Sequence, residues 1–110
     1  MFHQRLKCYQ LTMSMTKAMP GLISKWPRGY GYLTDQLRRA MSSISLNIAE
    51  GNAKRSFPER RRYFTSSMGS ASECSAILEI AFYYNLIDKS QSEYFQSNLL
   101  QVYKMLYKLK

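Results

Sequence analysis

Hydrophobic residues recur at steps of three and four along four stretches of the chain, which is the spacing of amphipathic helices. The pattern predicts helices from Arg5 to Met19, from Leu33 to Lys54, from Ser56 to Tyr84 or Asn85, and from Ser90 to the C-terminus. Pro20-Gly21 is expected to stop or kink the first helix. Strand-like alternation of useful length is missing, so the predicted fold class is all-α, an antiparallel up-and-down four-helix bundle.

Two of the predicted helices start with a capping-box pattern, in which a Ser and a Glu three residues later bond each other's backbone N–H groups. The two segments read Ser56-Phe57-Pro58-Glu59 and Ser90-Gln91-Ser92-Glu93. In the third helix, the small residues between Ser66 and Ser72 predict a close approach of a neighbouring helix. A mid-helix Gly costs about 1 kcal/mol relative to Ala, so Gly69 in this run is expected to have a packing reason.

The same spacing assigns a core stripe to each of three helices. The predicted stripes are Phe2, Leu6, Tyr9, Met13 and Thr16, with Cys8, Leu11, Met15 and Ala18 beside it, in the first helix; Phe64, Met68, Ala71, Ser75, Leu78 and Phe82 in the third; and Phe95, Leu99, Val102, Leu106 and Leu109 in the fourth. Each stripe is wide enough to bury one side of its helix in a bundle.

The second predicted helix has two faces without charge. Its core face carries Leu33, Leu37, Met41, Ile44 and Ile48. The opposite side carries Ser42, Leu46, Ala49 and Ala53. A solvated back face is rarely so small and uncharged, so we predict that this second face is also covered, as an interface between copies of the chain would cover it.

Composition agrees with one domain over residues 1–110. The chain has 110 residues, of which 45% are hydrophobic, and a chain of this size has a modest core that association with partners would extend. The N-terminal segment lacks the apolar run of a signal peptide and nothing approaches a membrane span, so the expected location is the cytoplasm, with no membrane partner. Cys8, Cys74 and His3 match no zinc or redox spacing, and we predict two reduced core thiols, no metal and no cofactor.

The parts of known catalytic sites are mostly missing from the chain. His3 is the single histidine and lies at the terminus, where a second and third group can hardly orient it. The carboxylates are scattered, and Glu50 and Glu73 are expected to be partly buried in structural ion pairs with Arg39 or another basic group. The prediction is a protein without enzymatic activity.

Charge gives the strongest functional signal. The chain has sixteen Lys and Arg but only seven Asp and Glu, and residues 1–62 hold the entire net charge of +9. The predicted nucleic-acid-binding residues are Lys54, Arg55, Arg60, Arg61 and Arg62, supported by Arg38, Arg39, Lys25 and Arg28. Such a cluster favours contacts with phosphates, and the alternatives are a solvated face, an acidic protein patch or a membrane surface.

Three aromatic residues lie in the loop that carries two of the supporting cations. Trp26, Tyr30 and Tyr32 have two interpretations, as rings that stack on bases or as packing at the end of the bundle.

Several segments resemble the four-helix bundle protein family first noticed in intervening sequences of bacterial large-subunit ribosomal RNA genes. These segments are Leu33 to Ala40, Ser43 to Gly51 with its NIAEG stretch, Arg62-Tyr63-Phe64, Gly69 to Glu73 and Asn85 to Asp88. The family pattern has an Ile-Pro pair where this chain reads Ile44-Ser45, so a proline kink is not expected here.

The family includes the accessory variability determinant of diversity-generating retroelements, and the segments His3 to Tyr9 and Trp26 to Gly31 resemble that branch. This resemblance implies a ring-like homopentamer, for which the second face of the second helix supplies an interface. It also implies a positive surface that binds a reverse transcriptase, RNA and possibly DNA. It implies a role in mutagenic cDNA synthesis. The alternatives are a protein of a ribosomal RNA intervening sequence or a module that docks an acidic protein.

Overall fold

A computed structural model describes all 110 residues as four α-helices preceded or joined by two short 3-10 turns. The helices are α1 (Lys7–Ile23), α2 (Gly31–Ala53), α3 (Phe57–Tyr83) and α4 (Lys89–Leu109), and the 3-10 turns are Phe2–Arg5 and Arg28–Tyr30. Short connections make successive helices antiparallel, and α1 and α3 each pack against both α2 and α4. The molecule is 44 Å long and 23 × 21 Å across, and the predicted all-α, four-helix fold is confirmed.

The core is one cluster of buried apolar side chains from all four helices. The predicted α2 stripe is confirmed, because its five side chains are at most 2% exposed. In α4 the first four residues of the stripe are buried, whereas Leu109 is 36% exposed because it belongs to the last turn. In α3 the buried side follows Cys74, Ile77 and Ala81 after Ala71, so Ser75 is only half-buried and Phe82 is exposed.

Helix α1 differs from the prediction at both ends. It continues through Pro20 and Gly21 to Ile23, and the N–H of Ser24 donates to the Pro20 carbonyl at 3.0 Å. Pro20 lies on the exposed side while Leu22 and Ile23 are buried, so packing of the last turn outweighs the hydrogen bond that proline cannot donate.

The predicted stripe of α1 lies at the edge of the core, since Phe2 is exposed whereas Leu6, Tyr9, Met13 and Thr16 are half-buried. The buried side chains of the helix are Cys8, Thr12, Met15, Met19, Leu22 and Ile23. Of the residues predicted beside the first stripe, Cys8 and Met15 are buried, Leu11 is half-buried and Ala18 is exposed.

The predicted helix starts are close to the observed ones. Ser56 caps α3, with its Oγ accepting a hydrogen bond from the Glu59 N–H at 3.3 Å. Helix α4 is capped by Asp88 and Gln91, two residues before the predicted Ser90 box. Asp88 is the better cap because a carboxylate accepts the helix N–H and also favours the positive end of the helix dipole.

Two glycines of α2 and α3 differ in whether a side chain would fit at their position. A Cβ on Gly51 would lie 2.8 Å from Cε1 of Phe64, a fully buried ring, so the close approach of the helices requires glycine there. A Cβ on Gly69 would meet no atom within 4 Å, so the expected packing reason for Gly69 is wrong within one chain.

The predicted close approach of α3 is made by serines of the same run. Ser67 donates from Oγ to the Ile44 carbonyl at 2.9 Å, and Ser70 donates to Ser43 Oγ at 2.8 Å. Helix α2 is uninterrupted at Ser45.

As predicted, Cys8 and Cys74 are buried free thiols. Burial raises the pKa of the Cys8 thiol. Burial, together with the negative charge of Glu73, raises the pKa of Cys74 to about 12. Both side chains are therefore neutral near pH 7 and act as small apolar groups in the core.

Candidate nucleic-acid interface

The fold collects positive charge in one half of the bundle, which we call the basic end. It consists of residues 1–15, 42–70 and 99–110, which antiparallel packing brings side by side. Hydrogen bonds between helices show which residues lie at the same height along the bundle axis. Ser45 Oγ donates to Met13 Sδ, and Ser75 Oγ donates to Gln96 Oε1. The basic end holds ten of the sixteen basic residues and two of the seven acidic ones. The opposite end, formed by the remaining residues, holds six basic and five acidic residues and is nearly neutral.

The predicted central cluster lies at the basic end, where α2 turns into α3. Arg55 lies in the three-residue connection between the helices, and Arg61 and Arg62 lie in the first turns of α3. All three side chains are exposed and belong to none of the ion pairs of the structure. These three arginines can therefore face a polyanion with their full charge.

The other two members of the cluster have internal partners. Arg60 donates from Nη1 to the carbonyls of Asn52 and Lys54, at 3.2 and 3.3 Å. It thereby satisfies carbonyls at the end of α2, where a positive charge is also favourable. Lys54 Nζ lies 3.6 Å from Oε2 of Glu50, one helix turn earlier. The sequence prediction treated the five cations as equivalent, whereas the side chains of Arg60 and Lys54 contact groups of the protein itself and only Arg60 connects α3 to the end of α2.

The four supporting cations do not join the central cluster. Lys25 and Arg28 lie between α1 and α2, at the opposite end, and the 23 residues of α2 separate the two groups by about 35 Å at 1.5 Å per residue. Arg38 is paired with Asp35 at 3.6 Å. Arg39 lines a shallow depression that also contains Glu73. The nine predicted residues therefore form two groups rather than one continuous surface.

The basic end also contains five cations that are not among the predicted residues. They are Arg5 and Lys7 near the start of α1 and Lys104, Lys108 and Lys110 near the end of α4. Residues 63–110 are neutral when counted along the sequence, with four basic and four acidic residues. The fold separates these charges, because three of the lysines reach the basic end while all four acidic residues lie at the opposite end. The antiparallel order of four helices could have revealed this separation, because it places the C-terminal end of α4 beside the start of α3.

The expected ion pair with Arg39 or another basic group is found for Glu50 and not for Glu73. Both side chains are exposed rather than partly buried. Glu50 pairs with Lys54, its neighbour one turn away, and not with Arg39. Glu73 has no basic partner within 4.0 Å. Both glutamates lie on helix sides turned away from the core, which explains their exposure.

Aromatic rings accompany the cations of the basic end. Six cation–ring contacts occur in the structure, and all six lie in this half. They join Arg5 to Phe2, Lys54 and Arg62 to Tyr63, Arg60 to Phe64, Arg61 to Phe57, and Lys110 to Tyr107, with 5.1 to 5.8 Å from the charged group to the ring centre. The three loop aromatics at the opposite end have different environments. Trp26 is buried and Tyr30 packs on Tyr84, whereas Tyr32 is exposed.

The predicted interface face of α2 is uncovered within one protomer. Ser42, Leu46 and Ala53 are exposed and Ala49 is half-buried. Leu46 is 66% exposed and lines an open depression with Arg38, Arg39 and Asn47. An exposed leucine on a face of small residues is available for contact with another molecule. None of the four helices has the length and apolar character needed to cross a membrane.

Comparison with known proteins gives a matching family model and a solved structure with the same fold. The model of a family described as 23S rRNA-intervening sequence protein matches residues 4–108. The crystal structure of a Bacteroides thetaiotaomicron protein, described as of unknown function and from the S23 ribosomal protein family, has a TM-score of 0.81 and 18% sequence identity over 94% of each chain. At this identity the likeness shows the fold alone. No curated protein matches the chain.

Proposed function

The chain belongs to the 23S rRNA-intervening sequence protein family, and we propose that it is a nonenzymatic protein that binds nucleic acid through its basic end. The observation that carries the proposal is the concentration of ten basic and two acidic residues in one half of the bundle. Contacts with phosphates release counterions, so a surface of this charge binds a polyanion with strong salt dependence.

The central contacts are assigned to Arg55, Arg61 and Arg62. Their side chains are exposed, and none has a carboxylate partner. The lysines near the end of α4 extend the same surface. No element of the fold is arranged as a recognition helix for a groove, so the contacts are mainly to phosphates and carry little sequence information.

At a finer level, we propose that the protein is an accessory of a retroelement reverse transcriptase and supports mutagenic cDNA synthesis on its RNA. Support comes from the sequence resemblance of two segments, His3 to Tyr9 and Trp26 to Gly31, to that branch of the family. The proposed assembly is a ring of five copies that uses the uncovered face of α2 around Leu46. A ring repeats the basic end in every copy, so weak phosphate contacts add through avidity.

The test compares two variants with the same net charge. One replaces Arg55, Arg61 and Arg62 by Gln at the basic end. The control replaces Lys25, Arg28 and Lys89 by Gln at the opposite end. Affinity for a structured RNA is measured by fluorescence anisotropy at several salt concentrations, and light scattering of the same samples gives the mass of the assembly.

We expect the basic-end variant to bind roughly a hundredfold more weakly, with the slope of log affinity against log salt reduced by about 2 to 3. The control is expected to stay within about twofold of wild type. Equal losses in both variants would contradict a localised interface. A mass of 12.9 kDa, that of one chain, would contradict the proposed ring.

A further inference from the structure

We propose that the basic end binds unpaired nucleic-acid strands, whose bases stack on the exposed rings of Phe2, Phe57 and Tyr107. This inference rests on the proposed function and adds the class of ligand to it, a strand with unpaired bases rather than a duplex.

The three rings share one arrangement. Phe2 is 75% exposed, and Phe57 and Tyr107 are each 62% exposed. Each has a cation of its own near the ring centre, namely Arg5 at 5.8 Å, Arg61 at 5.7 Å and Lys110 at 5.1 Å. The three pairs come from separate parts of the chain, the first 3-10 turn, the start of α3 and the end of α4. Antiparallel packing places all of them in the same half of the bundle.

The position of Phe57 is not explained by folding. It is the first residue of α3, and the helix start is already defined by the Ser56 cap and by Pro58. A hydrophobic staple at this start would use the residue before the cap and the fourth residue of the helix. Those positions are Arg55 and Arg60, so Phe57 has no staple partner. An exposed apolar ring among arginines is therefore available to a ligand.

Two other rings at the basic end serve the protein itself, while Tyr103 is exposed without a cation beside it. Phe64 is fully buried in the core beneath Arg60. Tyr63 is half-buried and has two cations, Lys54 and Arg62, within 5.4 Å of its centre. Burial of Phe64 and the two cations at Tyr63 distinguish these rings from Phe2, Phe57 and Tyr107, which are exposed and have one cation each. The basic end thus contains both structural aromatics and a set that contacts solvent.

Stacking distinguishes unpaired strands from duplexes. In a duplex, each base face is covered by the next base pair, so an external ring cannot reach it. In an unpaired strand the faces are free, and stacking on an aromatic side chain tolerates any base because every base has a π-face. A cation next to each ring places a phosphate partner beside the stacked base. Rings and cations together therefore match the alternation of bases and phosphates along a single strand.

The test replaces the rings while keeping their apolar character. One variant carries Phe2→Leu, Phe57→Leu and Tyr107→Leu. The matched control carries Tyr32→Leu, Tyr83→Leu and Tyr84→Leu, three exposed rings of the opposite end that contact no cation. The probes are a labelled RNA strand of about 20 nucleotides without self-complementarity, and its duplex. Thermal melting of both variants, followed by circular dichroism, checks the fold.

The basic-end ring variant is expected to lose about tenfold or more in affinity for the single strand and to keep its affinity for the duplex within about twofold. The control is expected to bind both probes as wild type does. Unchanged single-strand affinity, or an equal loss for strand and duplex, would overturn this inference and leave the proposed function in place. Failure of the wild-type protein to bind either probe would instead overturn the proposed function.

Discussion

The two ends of the bundle contain similar residues but pair them differently. At the basic end, six cation–ring contacts occur beside a single ion pair, Lys54 with Glu50. At the opposite end, Arg38 pairs with Asp35 and Lys89 with Glu93, and no cation lies on a ring. A carboxylate cancels the charge of its partner, whereas an aromatic ring leaves it intact. The ends therefore differ less in the number of aromatic residues than in whether their cations remain available.

The sharpest test within the basic end separates a structural arginine from a free one. Arg60→Ala removes the hydrogen bonds to the carbonyls of Asn52 and Lys54, so we expect it to lower the free energy of unfolding by about 2 kcal/mol. Arg61→Ala removes an exposed side chain, and its expected effect on stability is below about 0.5 kcal/mol. Urea unfolding followed by circular dichroism measures both values.

For affinity, the order of these two substitutions is expected to reverse. Arg61→Ala weakens RNA binding more than Arg60→Ala does, provided that both are compared under conditions where the folded state predominates. Equal stability of the two variants would show that the contacts of Arg60 contribute little, and the division between structural and free cations at this end would then be wrong.

A second, smaller effect tests whether α4 contributes to the basic end. Replacing Lys104, Lys108 and Lys110 by Gln is expected to weaken RNA binding by about three- to tenfold, since these exposed or half-buried lysines lie near the arginines. Anisotropy titrations at one salt concentration measure the change. Replacing Lys17, Lys25 and Lys89 removes the same charge from the opposite end and serves as the control. If both variants lost affinity equally, net charge alone and not its position would govern binding.

The smallest effect is a gain in stability that leaves both ends unchanged. Gly69 lies on the exposed side of α3 near the middle of the helix, and a methyl group there would meet no other atom of the protomer. Gly69→Ala is therefore expected to raise the free energy of unfolding by about 0.5 to 1 kcal/mol without changing RNA affinity. Chemical unfolding of the purified variant gives the value. A loss of stability or a smaller assembly mass would show that a neighbouring copy packs against Gly69.

Periodicity predicted the parts of the fold that depend on local spacing. The α2 core stripe is confirmed because a long amphipathic helix repeats its apolar side chains over several turns, and one misplaced residue changes little. The predicted end of α1 at Met19 was wrong. The rule that a proline ends a helix considers only neighbouring residues, whereas the burial of Leu22 and Ile23 depends on the other helices. The drift of the buried side in α3 after Ala71 likewise depends on its neighbours.

The candidate interface was predicted only in part. The sequence identified Arg55, Arg61 and Arg62 through their density along the chain. It gave no indication that Arg60 bonds to the end of α2, because that contact depends on how the connection turns. Nor did it assign the lysines of α4 to the same end, since counting charge along the sequence ignores which helix ends meet in space. Whether these residues bind nucleic acid stays a prediction.

The concentration of charge in one half also affects how the protein meets a ligand. A molecule 44 Å long with nearly all of its net charge at one end has a large electric dipole along its axis. In the field of a polyanion, such a molecule experiences a torque before contact and turns its positive end toward the strand. Productive encounters are then selected by orientation during diffusion, and added salt slows association by weakening this rotation.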